Sequence, residues 1–336
     1  MCLRLVVLSM PSTSINLMSS QLLPLWIASL HQGEGHWLKF TGDIANCYDE
    51  LDHDRCLDGV AWGLKSLPSW LGKRQAGWFS CSKVDRKDCR LGRATSEDRV
   101  DISFEQVLEV CVFDCRNSVI FVHGKLRRRI VGAPMGGFLS AFYAILCFAF
   151  IEEAKVKPMF TKLGIPGGIR RYLDDIIAVF CCNGKIMELE AKLFMEWLAS
   201  PEVYPPPLVL NVEPEGDQEF LEARVVTHDD NLCSVFRNTT AVDICEGKNQ
   251  YRRRLPHAGQ VREEEVQKLV QGIATRAVQM TSGSDGELLY HCLRELKLEV
   301  SFSGLPPRLF ARAIHYILLK YPTENVKNAI RRKGIL

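Results

Sequence analysis

Long apolar runs are missing from this sequence. The longest, Phe138–Ile151, falls short of the ~20 residues that a bilayer-spanning helix needs, so no membrane partner is expected. The first thirty residues are apolar, with Arg4 as their one charge. Pro11, Ser12 and Ser14 interrupt them and no small-residue cleavage pattern follows, which argues against a signal peptide. There is no internal repeat and no low-complexity linker. Charge bias is also missing: the net charge is +2, so composition neither supports nor opposes a nucleic-acid partner. The 13 cysteines lack any frame. No pair has Cys-x-x-Cys spacing, and Cys181 and Cys182 are adjacent, which speaks against both a disulfide framework and a zinc site. The compartment expected is reducing and intracellular, nucleus or cytoplasm.

What is present is an ordered series of segments. Residues 65–130 are polar and charge-rich, ending in the strand-like Ser118–Val122 and the basic Lys125, Arg127, Arg128 and Arg129. A glycine-rich loop, Gly132–Ser140, leads into an apolar helix expected over 138–155, with Ser140 as its cap. Residues 169–180 read as two apolar strands around an acidic turn. A helix over 186–199 and an extended stretch over 208–226 follow. Helical spacing then takes over in Val261–Met280, Gly286–Leu296, Pro307–Leu319 and Thr323–Arg332, with a boundary near 245–255. Further basic runs are Arg170 with Arg171, Arg252 with Arg253 and Arg254, and Arg331 with Arg332 and Lys333. Each could be plain solvated charge.

Three aspartates are hard to explain that way. Asp43 opens Asp43–Asp49 after an apolar approach, and Asp174–Asp175 interrupt two apolar stretches. Aspartate is depleted in strands, so a pair between buried strands implies a hairpin turn at the edge of a core. Carboxylates gathered there would suit Mg²⁺, which prefers oxygen ligands. Phosphoryl transfer to a hydroxyl uses two such ions roughly 3.5–4 Å apart.

In order, these segments resemble the motifs of the reverse transcriptase family. Asp43–Asp49 is similar to the first palm motif, with an aromatic, Tyr48, five residues after the aspartate. Gly132–Ser140 is similar to Gly-x-Pro-Gln-Gly-x-x-Leu-Ser, with Met135 where Gln is usual. Tyr172–Asp175 matches Tyr-x-Asp-Asp, Leu208–Glu213 resembles Leu-x-Leu-Asn-x-Glu-Lys, and Phe220-Leu221 resembles the start of the primer grip. The residues around Arg4 resemble the end of a fingers hairpin, and the helical end resembles the thumb of Penelope-like elements.

The resemblance implies an α+β right-hand polymerase: partial fingers over 1–38, palm over 39–64 and 131–248, an insertion over 65–130, and a helical thumb over 249–336. It implies a retroelement enzyme that adds deoxynucleotides to a primer 3′-hydroxyl, with two Mg²⁺ ions (or Mn²⁺) on Asp43, Asp174 and Asp175. Arg4, Tyr48, Pro134, Met135 and Gly136 would contact the nucleotide. Lys125, Arg127, Arg128, Arg129, Arg252, Arg253 and Arg254 would follow the phosphates of an RNA template and DNA primer. Tyr48 would stack under the sugar and exclude a 2′-hydroxyl, where RNA-dependent RNA polymerases usually carry Asp. The oligomeric state is not readable.

Pro214 and Glu222 depart from the family's lysine and glycine, and no counterpart of its first fingers strand precedes Met1. Poor polymerisation by this chain is therefore expected, with an unpaired strand edge around Leu5–Leu8. The rival reading is a catalytically degenerate RNA-binding or scaffold module.

Overall fold

The computed structural model describes residues 1–11, 13–30, 35–73, 76–85, 87–94, 96–134, 137–213, 218–228, 230–236, 255–256, 261–282, 286–332, 334 and 335. Its centre is a four-stranded antiparallel sheet built from β1 (His36–Ala45), β7 (Gly167–Tyr172), β8 (Asp175–Cys182) and β9 (Val209–Val212). Their order across the sheet is β7-β8-β1-β9. β8 is an unbroken apolar run after Asp175, the pattern of a strand buried on both faces. The two-residue period sends Ile176, Ala178, Phe180 and Cys182 into one hydrophobic core and Ile177, Val179 and Cys181 into another. Phe180 meets Phe40 and Phe194 edge-on, each at 6.0 Å between ring centres.

The first core lies between the sheet and the helices α4 (His53–Trp70), α6 (Ser140–Ile151) and α8 (Lys185–Leu198). Asp52 caps α4 by accepting from the Arg55 backbone N–H at 2.9 Å. α6 is apolar on all sides and mostly buried, so it needs close neighbours. Gly59 of α4 supplies one, since a Cβ there would lie 2.6 Å from the Cys147 backbone nitrogen. α6 begins later than the apolar pattern suggests: Phe138 precedes it and is 99% exposed. At its other end the chain widens into a π-turn over Glu152–Val156 before α7 (Lys157–Leu163).

The insertion forms a small sheet of order β3-β2-β4 from β2 (Trp78–Ser82), β3 (Cys89–Leu91) and β4 (Arg99–Ser103). Helix α5 (Phe104–Asn117), started by a Ser103–Gln106 capping box, follows it. A two-stranded ribbon then comes from β5 (Val119–Val122) and β6 (Lys125–Arg128).

The second core joins the C-terminal helices α9 (Glu263–Met280), α10 (Glu287–Phe302), α11 (Pro307–Lys320) and α12 (Glu324–Arg331) to a meander of β10 (Gln218–Phe220), β11 (Ala223–His228) and β12 (Asn231–Phe236). Phe220, Val225 and Phe236, expected in the palm, are thus buried with the helices. Leu23, Trp26 and Ile27 of α2 (Leu23–Ser29) join them from the N-terminal stretch. Of the expected boundary near 245–255, all but residue 255 lies outside the described residues.

One expectation fails at the start of the chain. Residues Cys2–Leu8 form an α-helix, α1, not a fingers strand. Leu3, Val6 and Val7 recur at helical spacing and insert into the first core against α4 and α6, so no apolar strand edge is left open there.

Candidate active site

The sheet register brings two aspartates together. Asp43 on β1 stands directly opposite Asp175 on β8, and on its other side opposite Asn211 of β9. β7 and β8 are joined by a two-residue turn, Leu173-Asp174, with Leu173 at φ 57. The turn is tied to the neighbouring strand, where the Ile44 N–H donates to the Asp174 carbonyl at 3.1 Å. Asp43 is exposed, while Asp174 and Asp175 are partly buried.

Burial, and then the neighbouring charges of Asp174, Asp43 and Glu213, push the Asp175 carboxyl up to about 6. Burial is also the main cause that raises Asp174, with Asp43 adding to it. These carboxylates are brought together by the strand register. Among the described residues, no acidic trio brings its oxygens within 4.8 Å of one another. The set is hard, anionic and mutually repelling, a donor set that fits Mg²⁺ or Mn²⁺.

Beneath the turn lies a side chain that the sequence disguises as half of a basic run. Arg171 is wholly buried. Its Nε and Nη2 donate to the Glu152 carboxylate at 2.5 and 3.1 Å, and its Nη1 donates to the Leu173 carbonyl at 2.7 Å. Tyr204 Oη donates to the same Glu152 carboxylate at 3.1 Å. The alternation of β7 carried the one available signal, since Arg171 shares its inward face with the buried Ile169.

A second layer is the junction of the glycine-rich loop with residues 46–53. The N–H groups of Gly132 and Ala133 donate to the carbonyls of Leu51 and Tyr48 at 2.7 and 2.6 Å, and His53 Nε2 is paired with the Gly132 carbonyl at 2.8 Å. Gly132 has φ 82, and a Cβ there would sit 2.4 Å from the Asp49 carbonyl oxygen, so only glycine fits. Ser140 does not cap α6; its hydroxyl donates to the Pro134 carbonyl at 2.7 Å and closes the loop. Tyr48 is half-buried beside this junction. Burial, then Cys47, Asp174 and Tyr172 nearby, pushes its phenol to about 12, so it stays a neutral hydroxyl at physiological pH. Met135 and Gly136 lie outside the described residues.

The expected phosphate contacts separate into different groups. Lys125, Arg127 and Arg128 lie on the exposed β5–β6 ribbon, whose register sets Phe121 opposite Leu126, 71% and 72% exposed. Arg129 is mainly structural: its Nη1 donates to the Ala133 carbonyl at 3.1 Å and to Asp49 at 3.4 Å. Arg252, Arg253 and Arg254 are outside the described residues, as is Pro214. Arg4 is on the exposed side of α1, so the hairpin geometry that suggested a triphosphate contact is not there. Glu222, where a glycine was expected, follows Leu221 (φ 60) and pairs with Arg276 of α9, coupling the meander's first turn to the helices.

No protein-family model matches the sequence, and no curated protein matches it. Among solved structures the chain is similar to apo telomerase from Candida tropicalis, with TM-score 0.56 and 12% identity over 97% of this chain and 54% of that one. It is also similar to telomerase from Candida albicans in complex with the TWJ fragment of telomeric RNA, with TM-score 0.56 and 13% identity over 99% and 53%. The Candida tropicalis enzyme in complex with a TWJ fragment gives TM-score 0.53 at 12% identity, over 98% and 50%. The chain therefore spans about half the length of these structures. It has a right-hand nucleic-acid polymerase fold. No helix among the described residues is long and apolar enough to cross a membrane.

Proposed function

We propose that this chain is a template-directed nucleotidyltransferase of the reverse transcriptase kind, extending a DNA primer on RNA with deoxynucleoside triphosphates, and that it derives from a retroelement. The observation that carries the reading is the Asp43–Asp175 register pair with Asp174 in the adjoining turn. Asp43, Asp174 and Asp175 would hold two Mg²⁺ ions, whose contribution when bound is to neutralise charge on the attacking and leaving oxygens. Arg171 fixes the turn that presents Asp174. Gly132, Ala133 and Pro134 shape the wall beside Tyr48, whose ring would lie against the sugar and oppose a 2′-hydroxyl. The ribbon residues Lys125, Arg127 and Arg128 would neutralise phosphates without reading sequence, with Phe121 as a stacking surface. The retroelement origin rests on the motif resemblance alone.

The helical form of α1 favours the second reading, an RNA-binding module without catalysis, because it leaves Arg4 without the hairpin that was to place it at a triphosphate. Primer extension on an RNA template separates the two. Incorporation of dNTP that requires Mg²⁺ and is lost in Asp174→Asn supports the enzyme. RNA binding without incorporation supports the module.

A further inference from the structure

Cys2, Cys81 and Cys89 are scattered along the sequence but converge in space. Cys2 opens α1, while Cys81 and Cys89 stand directly opposite each other on β2 and β3. The sulfurs of Cys2 and Cys81 are 3.7 Å apart and those of Cys81 and Cys89 are 3.4 Å apart, and all three lie within 4.8 Å of one another. Among the described residues this is the one trio of potential metal-binding side chains so closely gathered. Cys81 is buried, whereas Cys2 and Cys89 are partly exposed, so an ion has a path in.

We propose that these three thiols form a zinc site that ties the N-terminal helix to the insertion sheet. Zinc–sulfur bonds of about 2.3 Å in a tetrahedron set sulfurs about 3.8 Å apart, close to the spacing seen here without any metal. The surroundings suit a trithiolate with a surplus negative charge. Arg99 on β4 donates to the Ser80 carbonyl beside Cys81 at 2.6 Å and to the Asp88 carboxylate beside Cys89, also at 2.6 Å. Its guanidinium thus flanks both strand cysteines. Three protein sulfurs leave the fourth position for water or an added ligand. A Cys81–Cys89 disulfide is the competing fate of a cross-strand pair. It would have no use for Cys2, which nevertheless approaches the pair to hydrogen-bonding distance. The proposal does not depend on the polymerase reading, because the trio lies on elements outside the aspartate sheet.

The test uses the whole chain, purified under reducing conditions from zinc-supplemented culture. Elemental analysis should find close to one zinc per chain, and exchange into Co²⁺ should give a strong thiolate-to-cobalt charge-transfer band. Alkylation read by peptide mass spectrometry should leave Cys2, Cys81 and Cys89 protected until a chelator is added, a measurement that needs no variant. Cys89→Ser, at a partly exposed position, should lose the metal and the band together. A metal-free chain that gives no cobalt band would overturn the site. So would a Cys89→Ser protein that keeps its zinc, unprotected thiols in the zinc-loaded chain, or a Cys81–Cys89 disulfide in the reduced preparation.

Discussion

The buried guanidinium of Arg171 holds the carbonyl oxygen of Leu173 at 2.7 Å, and so fixes the turn that carries Asp174. Leu173 has φ 57, a left-handed conformation that a branched side chain adopts only when its surroundings enforce it. The same guanidinium grips Glu152 on the π-turn after α6. The acidic turn is thereby anchored to the packing of the first core.

Removing Arg171 should therefore be costly. Arg171→Met leaves Glu152 buried without its partner, a change that typically costs 3–5 kcal/mol, roughly. The double variant Arg171→Met/Glu152→Met should recover part of that stability, while polymerisation stays low in both because the turn is no longer held. Denaturant midpoints for the three proteins check this, and an unchanged midpoint for the single variant would refute the anchoring role.

Asp174→Asn keeps shape and removes charge. Primer extension should fall by at least ~10²-fold, the scale for losing one electrostatic stabiliser. Added Mg²⁺ should raise the unfolding temperature of the parent more than that of the variant, since a ligand stabilises only the state that binds it. Near-normal extension by a folded variant counts against the assignment.

Tyr48→Val shortens a half-buried side chain beside the acidic turn. Ribonucleotide incorporation relative to deoxyribonucleotide should rise by at least about tenfold, the scale that one group in a pocket commands. DNA synthesis should suffer only modestly. An unchanged dNTP-to-NTP preference, measured in competition, would place sugar selection elsewhere.

Gly132→Ala puts a methyl group 2.4 Å from the Asp49 carbonyl at a positive φ. Destabilisation of more than about 1 kcal/mol is expected. The loop should also shift away from Tyr48, raising the apparent KM for nucleotide. Thermal unfolding with steady-state incorporation reads both effects, and a variant matching the parent in each would show that the loop tolerates the displacement.

The sheet was legible in the sequence because its signals are local. The apolar run after Asp175 and the acidic turn ahead of it follow from a few neighbouring residues, although the turn falls on Leu173-Asp174 and Asp175 already belongs to β8. The C-terminal helices were legible for the same reason. Residues 2–8 were not, since so short an apolar stretch fits a strand or a helix, and packing of Leu3, Val6 and Val7 against α4 and α6 settles it. Arg171 looked like surface charge because its partners, Glu152 and Tyr204, approach from distant segments. The cysteine spacing spoke against a zinc site for an allied reason: spacing rules detect ligands close in sequence, and Cys2 reaches Cys81 only through the fold. The packing of Phe220, Val225 and Phe236 into the second core was likewise a tertiary choice that local pattern could not make.

Strand β8 contributes alternate side chains to two hydrophobic cores, and this has a consequence for how the molecule comes apart. Detaching the β10–β12 meander, which touches β8 through β10 and carries the C-terminal helices, would uncover Ile177, Val179 and Cys181, the reverse side of the strand that starts at Asp175. Neither half can melt while the other keeps its shape, so heating should give a single cooperative transition rather than two, with calorimetric and van't Hoff enthalpies in agreement. Fragments cut between the halves would then be poor folders, and loss of the carboxylate turn should coincide with loss of the helical signal.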